Sequence, residues 1–275
     1  MKKHSLPYVY AIEDSKLVGT CHVIPYRVFR RYIARSFRKN WAEYYMHDAD
    51  KLTVEAIPPD TFGLLGESKR KLDEFFKREE MDYTVKTIRK RIDIMRKNAA
   101  PDPQTQGLLE KFTVFCEDAL ATRDINKILE TLMFLEFNAP DIISIDGGFL
   151  DYARKNGKQV VGLEGKNHWK LVKEIFCPNV LGDGFVVEKI IPFLDGSYTK
   201  ELKNVSRDYF VKHEPSYLFF SDELLGNRDD SMFKKAKQLQ LFNGKNIIAV
   251  GSAHTSGIAA LAKKDGLDVR EMPYI

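Results

Sequence analysis

Two short segments of this sequence repeat a Gly-x-x-His pattern in which a small hydroxyl residue follows the glycine. The first runs from Gly19 to His22 and the second from Gly251 to His254. Each follows an apolar run that is typical of a buried strand. Because ligands of open α/β sheets bind at the carboxyl ends of the strands, we expect both imidazoles to reach one site. Histidines at such a site serve as metal ligands or as general acids and bases.

Two further apolar runs end in a glutamate, Glu55 after residues 52–54 and Glu164 after residues 160–163. A carboxylate at the end of a buried strand is costly unless it is paired or binds a cation. Two imidazoles and two carboxylates form a donor set suited to Zn, Mn or Co, with positions left open for water. We therefore predict a site for a divalent metal ion, formed by His22, His254, Glu55 and Glu164. Such an ion activates water for hydrolysis while a carboxylate that does not bind it serves as general base.

No short sequence motif identifies the predicted metal site, because the sequence has neither a His-Glu-x-x-His segment nor a cluster of cysteines and histidines. The same four side chains can work without an ion, as acid and base groups.

His168, in a third Gly-x-x-His segment, stands four residues after Glu164. One helical turn would place both on the same face, so His168 is a secondary ligand candidate.

Arg228 follows the turn-like pair Gly226-Asn227, and we expect it to open a helix. A guanidinium there can hold a substrate carboxylate or stabilise an oxyanion. It can equally form a salt bridge with one of the aspartates that follow it. The candidate catalytic residues are therefore Glu55, Glu164 and Arg228.

The segments that must position these residues alternate short β-rich runs with long intervals. We expect strands at residues 8–12, 16–18, 52–57, 142–145, 159–163, 246–250 and 268–272. They predict an α/β fold with one mixed central sheet flanked by helices, in which residues 13–15 form a hairpin turn. Residues 60–138 show helical spacing and predict a helical insertion within a single domain spanning 1–275, with a loop between helices at 98–106.

The segment 27–39 is unusually basic. It holds six basic residues around an apolar stripe and predicts one basic amphipathic helix packed on the sheet; the six are Arg27, Arg30, Arg31, Arg35, Arg38 and Lys39. Its basic face is either a solvated surface or one that attracts an anionic substrate or a membrane surface.

Composition limits the partners and the compartment. Forty-three basic and 39 acidic residues leave a net charge of +4, which does not call for nucleic acid, so we expect none. No apolar run has the length of a signal peptide or a transmembrane helix, and three scattered cysteines fit reduced thiols. We expect a cytoplasmic protein with a peptide or small-molecule substrate. The oligomeric state stays open.

Several segments together resemble the TraB, PrgY, GumN and Tiki family. In chain order they are LVGTCHVIP around His22, ADKLTVE ending at Glu55, GLE ending at Glu164, NRD around Arg228, and IIAVGSAHTSGIAALAKKDGLDV around His254. Their order and spacing match over nearly the whole chain. Two positions depart from the family pattern: Gly165 stands where the family has threonine, and Asp229 where it has asparagine.

The resemblance implies a Tiki-like fold, related to erythromycin esterases and haem-binding ChaN proteins, with the paired histidines in a metalloprotease site. Tiki proteins are described as divalent-metal proteases that trim a secreted signal, and PrgY is linked to reduced activity of a peptide pheromone. The first hypothesis is therefore a metal-dependent hydrolase acting on a peptide bond. The alternatives are a metal-free esterase-like hydrolase and a non-enzymatic protein that sequesters a peptide or haem.

Overall fold

The computed structural model describes residues 6, 8–33, 35, 37–55, 62–137, 141–164, 197–213 and 222–272. The chain divides into two compact units. The first contains Met1–Ile57, Ile143–Gly165 and Glu201–Ile275, and the second contains Pro58–Ile142 and Lys166–Lys200. The segment predicted as a helical insertion, 60–138, falls in the second unit.

Each predicted strand segment contains a strand. The strands are β1 (Tyr8–Ile12), β2 (Ser15–Thr20), β3 (Ile24–Pro25), β4 (Lys51–Val54), β5 (Ile142–Ile143), β6 (Gln159–Gly162), β7 (Asn246–Gly251) and β8 (Val269–Glu271). Six of them form a sheet in the order β6-β4-β7-β2-β1-β8. Strands β6, β4, β7 and β2 are parallel, while β1 is antiparallel to both β2 and β8. The predicted mixed central sheet is confirmed.

The first two strands form the predicted hairpin, because Ile12 lies opposite Ser15 across a two-residue turn. Glu13 in this turn adopts a positive φ of 51°. The prediction that residues 142–145 join the same sheet is wrong. That segment contributes only β5, which pairs with β3 in a separate two-stranded sheet, since Ser144 already caps the next helix through a hydrogen bond from the Gly147 amide.

Helices fill the intervals between the strands. In the described residues they are α1 (Tyr26–Tyr32), α2 (Phe37–Met46), α3 (Arg78–Asn98), α4 (Pro103–Thr122), α5 (Ile125–Phe137), α6 (Ile145–Lys155), α7 (Ser197–Val211), α8 (Asp222–Gln238) and α9 (Ser252–Lys264). The prediction of one helix over 27–39 is wrong, because Ile33 is extended (φ −89°, ψ 133°) and separates α1 from α2. Arg228 lies inside α8 and does not open it, so the pair Gly226-Asn227 is helical and forms no turn.

Both faces of the central sheet are buried. All six residues of β7 are buried, and they alternate between two hydrophobic cores. Ile247 shares one core with Phe149 of α6, and Ile248 shares the other with Ile258 of α9. Strands covered on both faces keep their ends in fixed positions, which suits the carboxyl edge of the sheet to carrying a precise site.

The described part of the second unit is helical and contains α3, α4 and α5. The predicted loop at 98–106 is shorter than expected, because α4 already begins at Pro103, a favoured residue at the first helical position. Asp102 caps this helix by accepting a hydrogen bond from the Thr105 amide at 2.9 Å. Within the described residues, no helix combines the length and apolar character needed to span a membrane.

Candidate functional site

The carboxyl ends of four neighbouring parallel strands bring the predicted site residues to one edge of the sheet. Glu164 follows β6, Glu55 directly follows β4, and His22 follows β2. His254 lies in the first turn of α9, which begins where β7 ends. The order along the edge is therefore Glu164, Glu55, His254 and His22, as the sheet order requires.

The carboxylate of Glu55 lies within 4 Å of both histidines. Its Oε2 lies 3.7 Å from Nε2 of His22, and its Oε1 lies 3.9 Å from Nε2 of His254. These separations are too long for direct hydrogen bonds, so the two imidazoles lie near one carboxylate and neither is hydrogen-bonded to it. The sheet edge thus joins the two Gly-x-x-His segments in one site.

The other nitrogen of each imidazole contacts an aspartate. Nδ1 of His22 is 2.5 Å from Oδ2 of Asp146, and Nδ1 of His254 is 2.5 Å from Oδ1 of Asp229. An ionised carboxylate only accepts, so each Nδ1 carries the proton and donates it. Thr20 in turn donates to Asp146 at 2.5 Å, which gives the hydroxyl residue of the first Gly-x-x-His segment a direct role.

Arg228 binds both glutamates of the site. Its Nε donates to Oε1 of Glu164 at 2.8 Å and its Nη2 to Oε2 at 3.0 Å, a bidentate pair. Nη2 also donates to Oε1 of Glu55. All three side chains are buried, with Arg228 only 6 % exposed. A buried charge-assisted network of this kind fixes the positions of both carboxylates.

Glu55 is held in its ionised form. Burial raises the pKa of its carboxyl group, but the positive charges of His22, Arg228 and His254 and the Gly251 amide lower it to about 2. The Gly251 amide, at the start of α9, donates to Oε2 of Glu55 at 3.1 Å. The carboxylate therefore also benefits from the positive end of a helix dipole.

His22 is strongly basic in this setting. Burial lowers the pKa of the imidazole, but the charge and hydrogen bond of Asp146 and the charge of Glu55 outweigh it and raise the pKa to about 9. The side chain of His22 is 46 % exposed, whereas that of His254 is 3 % exposed. The site therefore opens toward solvent at His22.

The glycine of the first Gly-x-x-His segment is required by space, and that of the second lies against the site residues. A β-carbon on Gly19 would lie 2.6 Å from Cβ of Tyr8 on the neighbouring strand and 3.2 Å from Cα of Ser252 in α9. A β-carbon on Gly251 would lie 3.2 Å from Nε2 of His22 and 3.4 Å from Oε2 of Glu55. Gly251 thus leaves open the space into which His22 and Glu55 point.

The donor chemistry of this space fits a divalent metal ion. A histidine ligand usually donates its second ring nitrogen to a carboxylate, as both histidines do here, and Gly251 lies beside Nε2 of His22. Across the described residues, however, no group of three or more His, Cys, Asp or Glu side chains is placed to hold an ion together. Glu55 is bound instead by Arg228 and the Gly251 amide.

The two aspartates were missed by the sequence reasoning. Asp146 follows an apolar run, as Glu55 and Glu164 do, and the same strand-end argument would have found it. The sequence presents Asp229 as a partner for Arg228 and as a departure from the family pattern, and neither predicts its contact with His254. His168, the secondary ligand candidate, lies outside the described residues.

Comparisons with protein-family models, curated proteins and solved structures gave no match to this chain.

Proposed function

We propose that this chain is a metal-dependent hydrolase that cleaves a peptide bond at the carboxyl edge of its sheet. The observation that carries the proposal is the matched orientation of the two histidines: each donates Nδ1–H to an aspartate and turns Nε2 toward the carboxylate of Glu55. The preference for peptides, and for a Tiki-like version of the fold, comes from the resemblance of the motifs to the TraB, PrgY, GumN and Tiki family.

The residues divide into ligands and supports. His22 and His254 would hold a Zn, Mn or Co ion through Nε2, with Glu55 as the carboxylate donor. The low pKa of Glu55 suits a ligand, which must be ionised, better than a general base, which must take up a proton. A bound ion supplies Lewis acidity, which acidifies water and polarises a carbonyl group.

Arg228 and Glu164 complete the arrangement. Arg228 binds two carboxylates that would otherwise repel each other, and it fixes the position of Glu55 near the histidines. Glu164, predicted as a ligand or base, has Arg228 as its described partner, so we assign it first to orienting that guanidinium. A substrate-orienting role for Arg228 would require the guanidinium to exchange one glutamate for the substrate.

Metal binding by purified protein tests the proposal. Protein dialysed against Mn, Co or Zn should retain about one ion per chain, and a His22→Ala, His254→Ala double variant should retain none above background. Cleavage of a peptide library should disappear in the same variant and in wild-type protein treated with chelator. Equal and negligible metal content in the wild type and the double variant would rule out metal binding at this site.

A metal-free hydrolase is the second candidate. It is favoured by the engagement of Glu55 with Arg228 and by the missing third donor among the described side chains. With a pKa of about 9, His22 carries a proton at neutral pH and is suited to donate it to a leaving group. Cleavage that survives the chelator but is lost in His22→Ala would select this candidate over the first.

A further inference from the structure

A patch of positive charge lies directly beyond the first histidine in the sequence. Five basic side chains of the segment 27–39 are exposed, and we call them the basic surface; they are Arg27, Arg30, Arg31, Arg35 and Lys39. No acidic residue stands between Val23 and Ala42. Outside this segment the chain has more acidic than basic residues, so its net positive charge arises here.

The basic surface is held outward by packing. The opposite side of α1 is buried in the core through Phe29, which is 1 % exposed, and Tyr32, which is 5 % exposed. None of the five basic side chains pairs with a carboxylate in the part of the chain that the structure describes. No described carboxylate therefore balances their positive charge, which is exposed to solvent. An anionic partner would supply the opposite charge.

The chain itself limits how far this surface lies from the site. Arg27 is five residues after His22, and an extended chain spans at most about 3.6 Å per residue, so the two α-carbons are within about 18 Å of each other. His22 is also the side chain through which the site opens. A peptide bound at His22 reaches the basic surface with about five residues of extended chain.

We propose that the basic surface binds an acidic stretch of the peptide substrate that begins within about five residues of the bond that is cleaved. This inference rests on the proposed function, since it names the substrate class of the same site. The proximity of the surface to His22, the exposed side chain of the site, favours a substrate of that site over a membrane or a nucleic acid.

Binding of two labelled peptides, followed by fluorescence anisotropy at low ionic strength, tests the inference. One peptide carries a run of glutamates and the other the same run changed to glutamine. The full chain should bind the acidic peptide about tenfold or more tightly, and added salt should remove the difference. The triple variant Arg27→Gln, Arg30→Gln, Arg31→Gln should lose this preference. The control Lys86→Gln, Lys90→Gln, Lys97→Gln removes three exposed charges from α3 and should keep it.

The outcomes separate the surface from the catalytic proposal. Binding of the acidic peptide through the three arginines without cleavage would support the surface and count against the hydrolase. Equal cleavage and equal binding of the two peptides would support the hydrolase and overturn the surface. Tighter binding of phosphatidylserine vesicles or a single-stranded oligonucleotide through the same arginines would also overturn it.

Discussion

Asp229 and His254 form a buried contact beside the carboxylate of Glu55. Oδ1 of Asp229 lies 2.5 Å from Nδ1 of His254, and the two side chains are 11 % and 3 % exposed. One residue comes from α8 and the other from the first turn of α9, so the contact also joins two helices. The aspartate fixes both the ring orientation and the nitrogen that carries the proton, which leaves Nε2 facing Glu55.

Removing this aspartate should weaken metal binding more than it weakens folding. We expect Asp229→Ala to lower the affinity for Mn, Co or Zn by about 10- to 100-fold, because the imidazole loses its orienting partner. Asp229→Asn keeps an acceptor oxygen and should recover part of the loss. Titration calorimetry measures both, with Asp230→Ala, at a half-exposed neighbouring position, as control. Equal affinities for Asp229→Ala and Asp230→Ala would contradict this role.

Gly257 provides the space that Asp229 occupies. A β-carbon at Gly257 would overlap the carboxylate of Asp229. We expect Gly257→Ala to destabilise the protein by about 1–3 kcal/mol through overpacking and to displace Asp229 from His254. Gly226→Ala is the matched control, since Gly226 is an exposed helical position with open space around it.

The control should change stability in the opposite direction. Alanine at an exposed helical position is favoured over glycine by about 0.5–1 kcal/mol, so Gly226→Ala should raise the midpoint of urea unfolding while Gly257→Ala lowers it. A Gly257→Ala variant as stable as the wild type would show that Asp229 does not need the space at Gly257.

Arg228 should be among the most sensitive positions of the chain. Arg228→Met removes the cation that binds both Glu55 and Glu164 and leaves the negative charges of two buried carboxylates without it. Breaking such a buried network by removing one member costs about 3–5 kcal/mol, which urea unfolding would detect. Arg270→Met, in an exposed pair with Asp268, should cost no more than about 1 kcal/mol. Similar losses for the two variants would contradict the network.

The sequence predicted which residues lie at the carboxyl edge of the sheet better than it predicted the side chains that contact them. Apolar runs ending in Glu55 and Glu164 are readable because strands buried on both faces are continuously apolar, and their parallel ends meet at one edge. Asp146 also follows an apolar run and could have been proposed as a site residue, but its contact with His22 depends on the packing of α6, which no local pattern encodes. Local signals also failed within helices, where tertiary packing overrides weak propensity, as at Gly226-Asn227 inside α8.

The stability of the metal-free protein should fall in acid because of Glu55. Its folded pKa of about 2 lies below the ordinary glutamate pKa of 4.5, so the unfolded chain binds a proton first as the pH falls. The stabilisation is complete above about pH 4.5 and is lost progressively as the pH falls toward 2. In the presence of chelator, Glu55→Gln should be less stable at neutral pH and show a shallower decline across this window. The same change at the exposed Glu79 should leave the decline as in the wild type, and parallel curves for Glu55→Gln and wild type would show that Glu55 is not held ionised by its neighbours.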